Sequence, residues 1–373
     1  MKRILLSPLS FGLGHATRDL PIIRCLLAQG HQVTIAATGR PLRLLQREVP
    51  ACEFLELKDY PSPFSSTRHM MPKLLAMIPV LQGAVSAENR RVRRLLERRH
   101  FDLLLSDSRY GIWSPDVPSL ILTHGLRFVE PKGLRRAQAV GHRWLKHLES
   151  LTEIHTARVL PRFDRIIVPD FADGEQSLSG RLAHWLTRLR KEPFYYMGPL
   201  SGVRRLEVPQ DVDVFISLSG AEPQRTHLEE IVLRQVERLD GRRVVVTLGR
   251  PEVRWEQRRG GRVTVHGYLD RRRQEEMLNR ARLVVCRSGY TTLMELAELG
   301  KKALFIPHPG HTEQEYLAER HRRRGFFHAV SQDRLDLARD VAIAGETSGF
   351  PIPFDTAANV RRLYDDVLAP ILD

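Results

Sequence analysis

The sequence predicts an α/β protein made of two doubly wound parallel-sheet domains that face each other across a cleft. With 373 residues the chain is long enough for two domains, each of about 100–200 residues. Short apolar runs alternate with longer helical stretches over most of its length, which is the pattern of a parallel sheet flanked by helices. One stretch without periodicity, YYMGPLSGVRRLEVPQD from Tyr195 to Asp211, separates a first series from a second. The expected organisation is therefore a domain over 1–198, a linker over 199–211, a domain over 212–350, and a final amphipathic helix within 351–373 that packs back across the junction.

In the first domain, strands are expected at Arg3–Ser7, Gln32–Ala36, Glu53–Leu57, Asp102–Ser106, Ser119–Thr123 and Arg165–Val168. Between the first two, Ile22, Ile23, Leu26 and Leu27 recur at helical spacing, and Gly30 suits the end of that helix. The second domain reads as strands running into loops at DVFISLSG, RRVVVTLG, RVTVHGY, RLVVCRSG and KALFIPHPG. Open sheets of this kind bind ligands at the carboxyl ends of their strands, so the loops that follow strands are the places to search.

Composition narrows the class. A hydrophobic content of 42% with 27% charged residues excludes a disordered or fibrous chain. No run of about 18 apolar residues is present, so no membrane-spanning helix is expected. The start MKRILLSPLSFGLG places basic residues before an apolar stretch, as a signal peptide does. Its glycines, His15 and Arg18 follow too soon for that, and a first strand fits better. Cys25, Cys52 and Cys286 are odd in number and contain no CxxC pair, which argues against a disulfide framework or zinc and for a cytoplasmic location. The net charge of +14 admits nucleic acid, an anionic membrane surface or an acidic small molecule as partner. No nucleic-acid motif and no basic stripe interleaved with aromatics appears, so nucleic acid is not expected.

In the loop LSFGLGHATRDLP, Gly12 and Gly14 permit a tight turn and close backbone approach, with a helix expected from about Thr17. The loop lacks the full GxGxxG fingerprint, with Thr17 at the third-glycine position and Arg18 after it, so a nicotinamide cofactor is disfavoured. Asp107 ends the run FDLLLSD; it can open the turn SDSRYG, or hold the His15 imidazole in one tautomer as a general-base dyad. His124 lies at another strand end and competes for that role. In the second domain, Ser288, Gly289 and Thr291 precede a helix whose free amides suit a diphosphate. Thr292 and Glu295 have the spacing of a capping box, which alone would explain both. His308 and His311 sit in a glycine- and proline-containing loop without a tetrahedral ligand set, so no metal is expected. The DVD at Asp211–Asp213 opens a strand at the end away from the cleft and is discounted as a metal motif.

Across CRSGYTTLMELAELGKKALFIP and HTEQEYLAE, together with GLGHATRDL, the chain resembles the MurG-like branch of the GT-B glycosyltransferases. That resemblance implies two Rossmann-like domains, an acceptor domain followed by a nucleotide-sugar domain. It implies sugar transfer from a UDP-sugar to a glycan or lipid-linked acceptor, inverting, without metal or cofactor, in cell-envelope glycan synthesis. Carried over residue by residue, Ser288, Gly289, Tyr290, Thr291 and Thr292 line the diphosphate and Glu295 holds the ribose. Tyr268 and Leu269 face the base with Ser219, Gly220 and Arg225 nearby, and Gln314 and Glu315 contact the donor sugar. Where the family has paired glutamines this chain has Gln-Glu. The loop FGLGHATRDL is also similar to the UDP-sugar hydrolase of pseudaminic acid synthesis, whose histidine activates water, and this is the alternative reading. His15 is the implied base in either case, with Gly12, Gly14, Arg18 and His124 around the acceptor.

RHMMPKLLAMIPVLQGAV is apolar and methionine-rich, and the segment after it carries Arg90, Arg91, Arg93, Arg94, Arg98 and Arg99. Either a core helix precedes a solvated basic one, or the pair forms a peripheral anchor for the inner face of an anionic membrane.

Overall fold

The computed structural model describes residues 1–61, 70–127, 129, 152–153, 156–185, 194–253, 255–259 and 261–373. In the first lobe, β1 (Arg3–Pro8), α1 (Leu13–Ala28), β2 (Gln32–Ala37), α2 (Gly39–Glu48) and β3 (Glu53–Glu56) lead to α3 (Met70–Leu96). Then come β4 (Leu103–Asp107), β5 (Ser119–Leu122), β6 (Arg165–Val168) and β7 (Phe194–Tyr196). These strands form one sheet ordered β3-β2-β1-β4-β5-β6-β7, parallel throughout. Helices cover both faces, which is why β1 is a continuous apolar run rather than an alternating one. Ile4 and Leu6 pack with Leu20 and Ile23 of α1, while Leu5 points the other way to Val92, Phe101 and Leu104.

The second lobe repeats the plan with β8 (Val212–Ser217), α4 (Gln224–Gln235), β9 (Val244–Thr247), β10 (Glu256–Arg259), β11 (Val263–His266) and α5 (Arg271–Arg280). It continues through β12 (Ala281–Cys286), α6 (Tyr290–Leu299), β13 (Lys302–Phe305), α7 (Thr312–Arg323), β14 (His328–Ala329) and α8 (Leu337–Gly345). Its sheet runs β10-β11-β9-β8-β12-β13-β14, with only the β10–β11 pair antiparallel. Near the end of the chain, α9 (Thr356–Leu363) continues through a π-helical turn into a short helix, α10 (Ala369–Leu372), and lies against the first lobe. There Asn359 donates to Pro199 O at 2.8 Å, and the hydroxyl of Tyr195 donates to Asp366 at 2.7 Å.

Several elements differ from the sequence expectation. Tyr195 and Tyr196, read as the start of the aperiodic stretch, end β7 instead, because pairing with β6 makes a strand of three residues too short to show a period. β10 is the polar edge strand EQRR and carries no apolar signal. α1 begins at Leu13 rather than Thr17, which puts His15 and Arg18 on its first turns. Asp211 takes Arg280 and Arg243, and Asp213 takes Arg282, so the DVD is a set of surface ion pairs. The three cysteines are free thiols. No helix among the described residues is long and apolar enough to cross a membrane. Of the apolar stretch before the arginine run, residues 68–69 lie outside the described residues, as do the side chains of 70–76 and 78.

Candidate active site

Each sheet has one point where its winding reverses, and open α/β sheets bind ligands there. In the first lobe this point lies between β1 and β4, whose ends are in register at Pro8 and Asp107. In the second it lies between β8 and β12, in register at Ser217 and Cys286. The loop bearing His15 therefore emerges beside Asp107, and the loop at Ser219–Gly220 beside that at Arg287–Gly289. The two lobes meet closely here: a Cβ on Gly14 would stand 2.8 Å from Thr291 Oγ1, so only glycine allows this approach.

His15 donates from Nδ1 to Asp107 Oδ2 at 3.0 Å, an orientation that leaves Nε2 of the neutral ring as acceptor. The ring keeps a partly exposed side. Arg18, 1% exposed, takes both oxygens of the same carboxylate, with Nε at 2.8 Å from Oδ2 and Nη2 on Oδ1. Burial opposes ionisation of Asp107, but Arg18 and His15 beside it hold its carboxyl well below the usual range. Arg18 also donates from Nη1 to His124 Nδ1 at 3.2 Å, which forces the His124 proton onto Nε2. That nitrogen donates to Glu313 Oε2 of the other lobe at 3.3 Å. Burial lowers the His124 pKa, in keeping with a neutral ring. Burial would raise Glu313, yet His124, His311 and His15 around it bring its carboxyl down to about 2. With both nitrogens engaged and its ring stacked at 4.0 Å on Tyr290, His124 is no rival base to His15.

In the second lobe, Gly289 is the N-cap of α6 and no side chain caps it, so the amides of the first turn are left for another partner. Gly289, Thr291 and Thr292 are partly exposed there. Thr292 lies inside the helix, whose N-cap is Gly289, so it forms no capping box with Glu295; the Glu295 carboxyl is raised by burial to about 7, with Arg271 opposing and Glu275 adding to the shift. Ser219 and Gly220 are exposed, Gly220 at φ 118°, and Tyr268 is partly exposed at the end of β11.

Five of the expected donor contacts are otherwise engaged. The hydroxyl of Ser288 is buried and donates to Gln314 O at 2.8 Å. Tyr290 is buried between the lobes with its hydroxyl on Pro169 O at 2.7 Å. Arg225 is held by Glu222 and Glu229. The Leu269 side chain belongs to the apolar core. Glu315 is buried and accepts from Gly310 N–H at 2.8 Å, which fixes the turn before α7. Gln314 remains at the site, with Oε1 accepting from His308 N–H at 2.9 Å. Among the described residues no group of three or more His, Cys, Asp or Glu comes together as a metal site.

Sequence reading met Glu313 only within HPGHTEQE and Arg287 only as the first residue of R-S-G, assigned neither a role, and did not single out Asp19. Asp19 is buried beside Asp107; burial and that neighbouring charge push its carboxyl well above the usual range. A charged residue two turns into an apolar helix was the available signal for Asp19.

Two doubly wound lobes apposed at their switch points make this a GT-B fold. Residues 226–339 match the description "Glycosyltransferase family 28 C-terminal domain". The chain is 23% identical over 245 residues to the UDP-N-acetylglucosamine--N-acetylmuramyl-(pentapeptide) pyrophosphoryl-undecaprenol N-acetylglucosamine transferase of Rippkaea orientalis. That match covers 65% of this chain and spans 61% of the relative's length. Among solved structures, the glycotransferase of kitacinnamycin superposes with a TM-score of 0.66 at 16% identity, over 100% of this chain and 99% of that one. MurG of Acinetobacter baumannii does so with a TM-score of 0.52 at 14% identity, over 100% and 99%. These likenesses establish the fold. Together with the match over residues 226–339, they make the chain similar to the MurG-like GT-B glycosyltransferases.

Proposed function

We propose that the protein transfers a sugar from a nucleotide diphosphate sugar, with UDP as carrier, to a hydroxyl of a glycan or lipid-linked acceptor. The observation that carries this reading is the His15–Asp107 pair at one switch point, facing an uncapped helix N-terminus at the other. The acceptor O–H proton passes to His15 Nε2, the freed oxygen attacks the anomeric carbon, and the bond to the diphosphate breaks. Attack from the opposite lobe supports inversion. The amides opening α6 offset charge growing on the leaving diphosphate, so no divalent ion is needed and EDTA leaves turnover intact. Glu295 receives the ribose hydroxyls and Gln314 meets the sugar. UDP as carrier is supported by the name of the Rippkaea relative.

The arginines at 90, 91, 94 and 98 are exposed on and just after α3, which supports attraction of the acceptor lobe to an anionic lipid surface. The test of the catalytic reading is a thermal-shift panel of UDP-, GDP- and dTDP-sugars followed by turnover assays with and without acceptor. UDP-sugars raise the melting temperature, and His15→Ala abolishes turnover while UDP still binds. Turnover retained in that variant removes His15 from the chemistry, and rapid release of free sugar in water alone makes the enzyme a hydrolase.

A further inference from the structure

We propose that Arg287 supplies an uncompensated positive charge to the donor diphosphate without touching it, and that an amide rather than a carboxylate at Gln332 keeps that charge available. This rests on the reading of the cleft as a nucleotide diphosphate site. Arg287 follows β12 directly and is 3% exposed. Its Nε donates to Ser219 O at 3.3 Å, and Nη1 to Ile306 O at 2.9 Å and Pro307 O at 3.1 Å. Nη2 donates to Gln224 O at 3.1 Å and to Gln332 Oε1 at 2.8 Å. A guanidinium has five N–H groups, so all are used and all five acceptors are neutral.

The other deeply buried arginines are treated differently. Arg18 sits on Asp107, Arg109 on Glu88 and Arg225 on Glu229. Buried charges are ordinarily paired in this way. Among the described residues no carboxylate pairs with Arg287. Burial moves its pKa only down to about 10, so it stays cationic at neutral pH. Its position shows where the charge is felt. A Cβ on Gly220 would lie 3.6 Å from Nε, and Ser288–Gly289, next in the chain, open α6. The cation thus stands behind both loops of the second switch point. Its hydrogen bonds hold the ends of β8 and β13 and the start of α4, and its charge has no partner among the described residues until an anion enters in front of them.

Gln332→Glu isolates the charge from the scaffold. The oxygen already 2.8 Å from Nη2 becomes part of a carboxylate, and the Gln224 amide, now accepting from Gln332 Nε2 at 3.3 Å, can rotate to donate. The expected result by calorimetry is UDP affinity about tenfold weaker than wild type, uridine affinity within about threefold, and a melting temperature unchanged or raised. Arg287→Lys is expected to preserve the wild-type ratio of UDP to uridine affinity, and Arg287→Gln to lower it. An unchanged ratio in Gln332→Glu overturns the proposal, whether or not the Arg287 variants fold. So does an equal loss of the ratio in Arg287→Lys and Arg287→Gln, which would mark the hydrogen bonds as the cause. Wild-type protein that binds no UDP sinks the nucleotide reading itself, a result distinct from both.

Discussion

Asp107→Asn removes one charge from the centre of the site with almost no change in size, and it is predicted to impair stability and turnover by separate routes. Asp107 is 2% exposed and accepts from Arg18 at both oxygens and from His15 at one. Breaking a buried ion pair from one side costs about 3–5 kcal/mol, because the other charge is left without a partner. Asp19 moderates this. Its carboxyl is kept neutral by burial and by the charge of Asp107, so it can ionise once that charge is gone and pair with Arg18. The expected loss is therefore about 3 kcal/mol, at the lower end, and Asp19→Asn added to Asp107→Asn should deepen it.

The catalytic effect follows from the tautomer. An asparagine NH2 can donate to His15 Nδ1, which moves the ring proton to Nε2 and leaves no base, a loss of about 10²–10⁴ in turnover. Stability is read by denaturant unfolding followed by circular dichroism, and turnover by nucleotide release. The pH sign is definite. A carboxyl whose pKa is lowered in the fold contributes stability that is full above its unfolded value near 3.9 and is lost as pH falls through the folded value. Wild type and Asp107→Asn should therefore differ most above about pH 4 and converge only in stronger acid. Turnover within about tenfold of wild type would refute the dyad, and unchanged stability at neutral pH would refute the buried pairing with Arg18.

Three further outcomes are expected. Nucleotide affinity should fall as pH drops below about 7, by up to about tenfold per unit, because protonated Glu295 cannot accept two ribose hydroxyls; Glu295→Gln should flatten the calorimetric profile between pH 5.5 and 8, and a flat wild-type profile would refute the assignment. A carboxyl raised in the fold favours folding below its unfolded value and loses that advantage as pH rises through about 7, so Glu295→Gln should also gain stability at pH 8. Gly14→Ala places a methyl 2.8 Å from Thr291 Oγ1 and should reduce kcat/KM about 10–100-fold by parting the lobes, with Thr291→Ala restoring much of it. Equal losses in both backgrounds would show that the contact does not set the geometry.

Much of the strand framework was legible because both faces of these parallel sheets are covered, so strands such as RILLS, DLLLS and RLVVC appear as apolar runs bounded by small or polar residues. Three strands were not. β7 and β14 are too short to show a period, and β10 is polar throughout, so each exists only through the strand it pairs with. Five expected donor contacts have the residue types a ligand would want, but in Ser288, Tyr290, Arg225, Leu269 and Glu315 those groups are consumed by the protein's own interior.

The sequence alone determined the α/β class, the repetition of one winding plan and the glycine- and histidine-bearing loops after strands, since local periodicity and backbone permissiveness encode these. Only the tertiary structure decided which of two histidines can act as a base, that Arg18 neutralises the carboxylate beside it, and that Arg287 has no counter-charge among the described residues. Those properties depend on which groups approach one another across long sequence separations and on how far burial removes water from between them. Neither separation nor desolvation has a period that can be read along a chain.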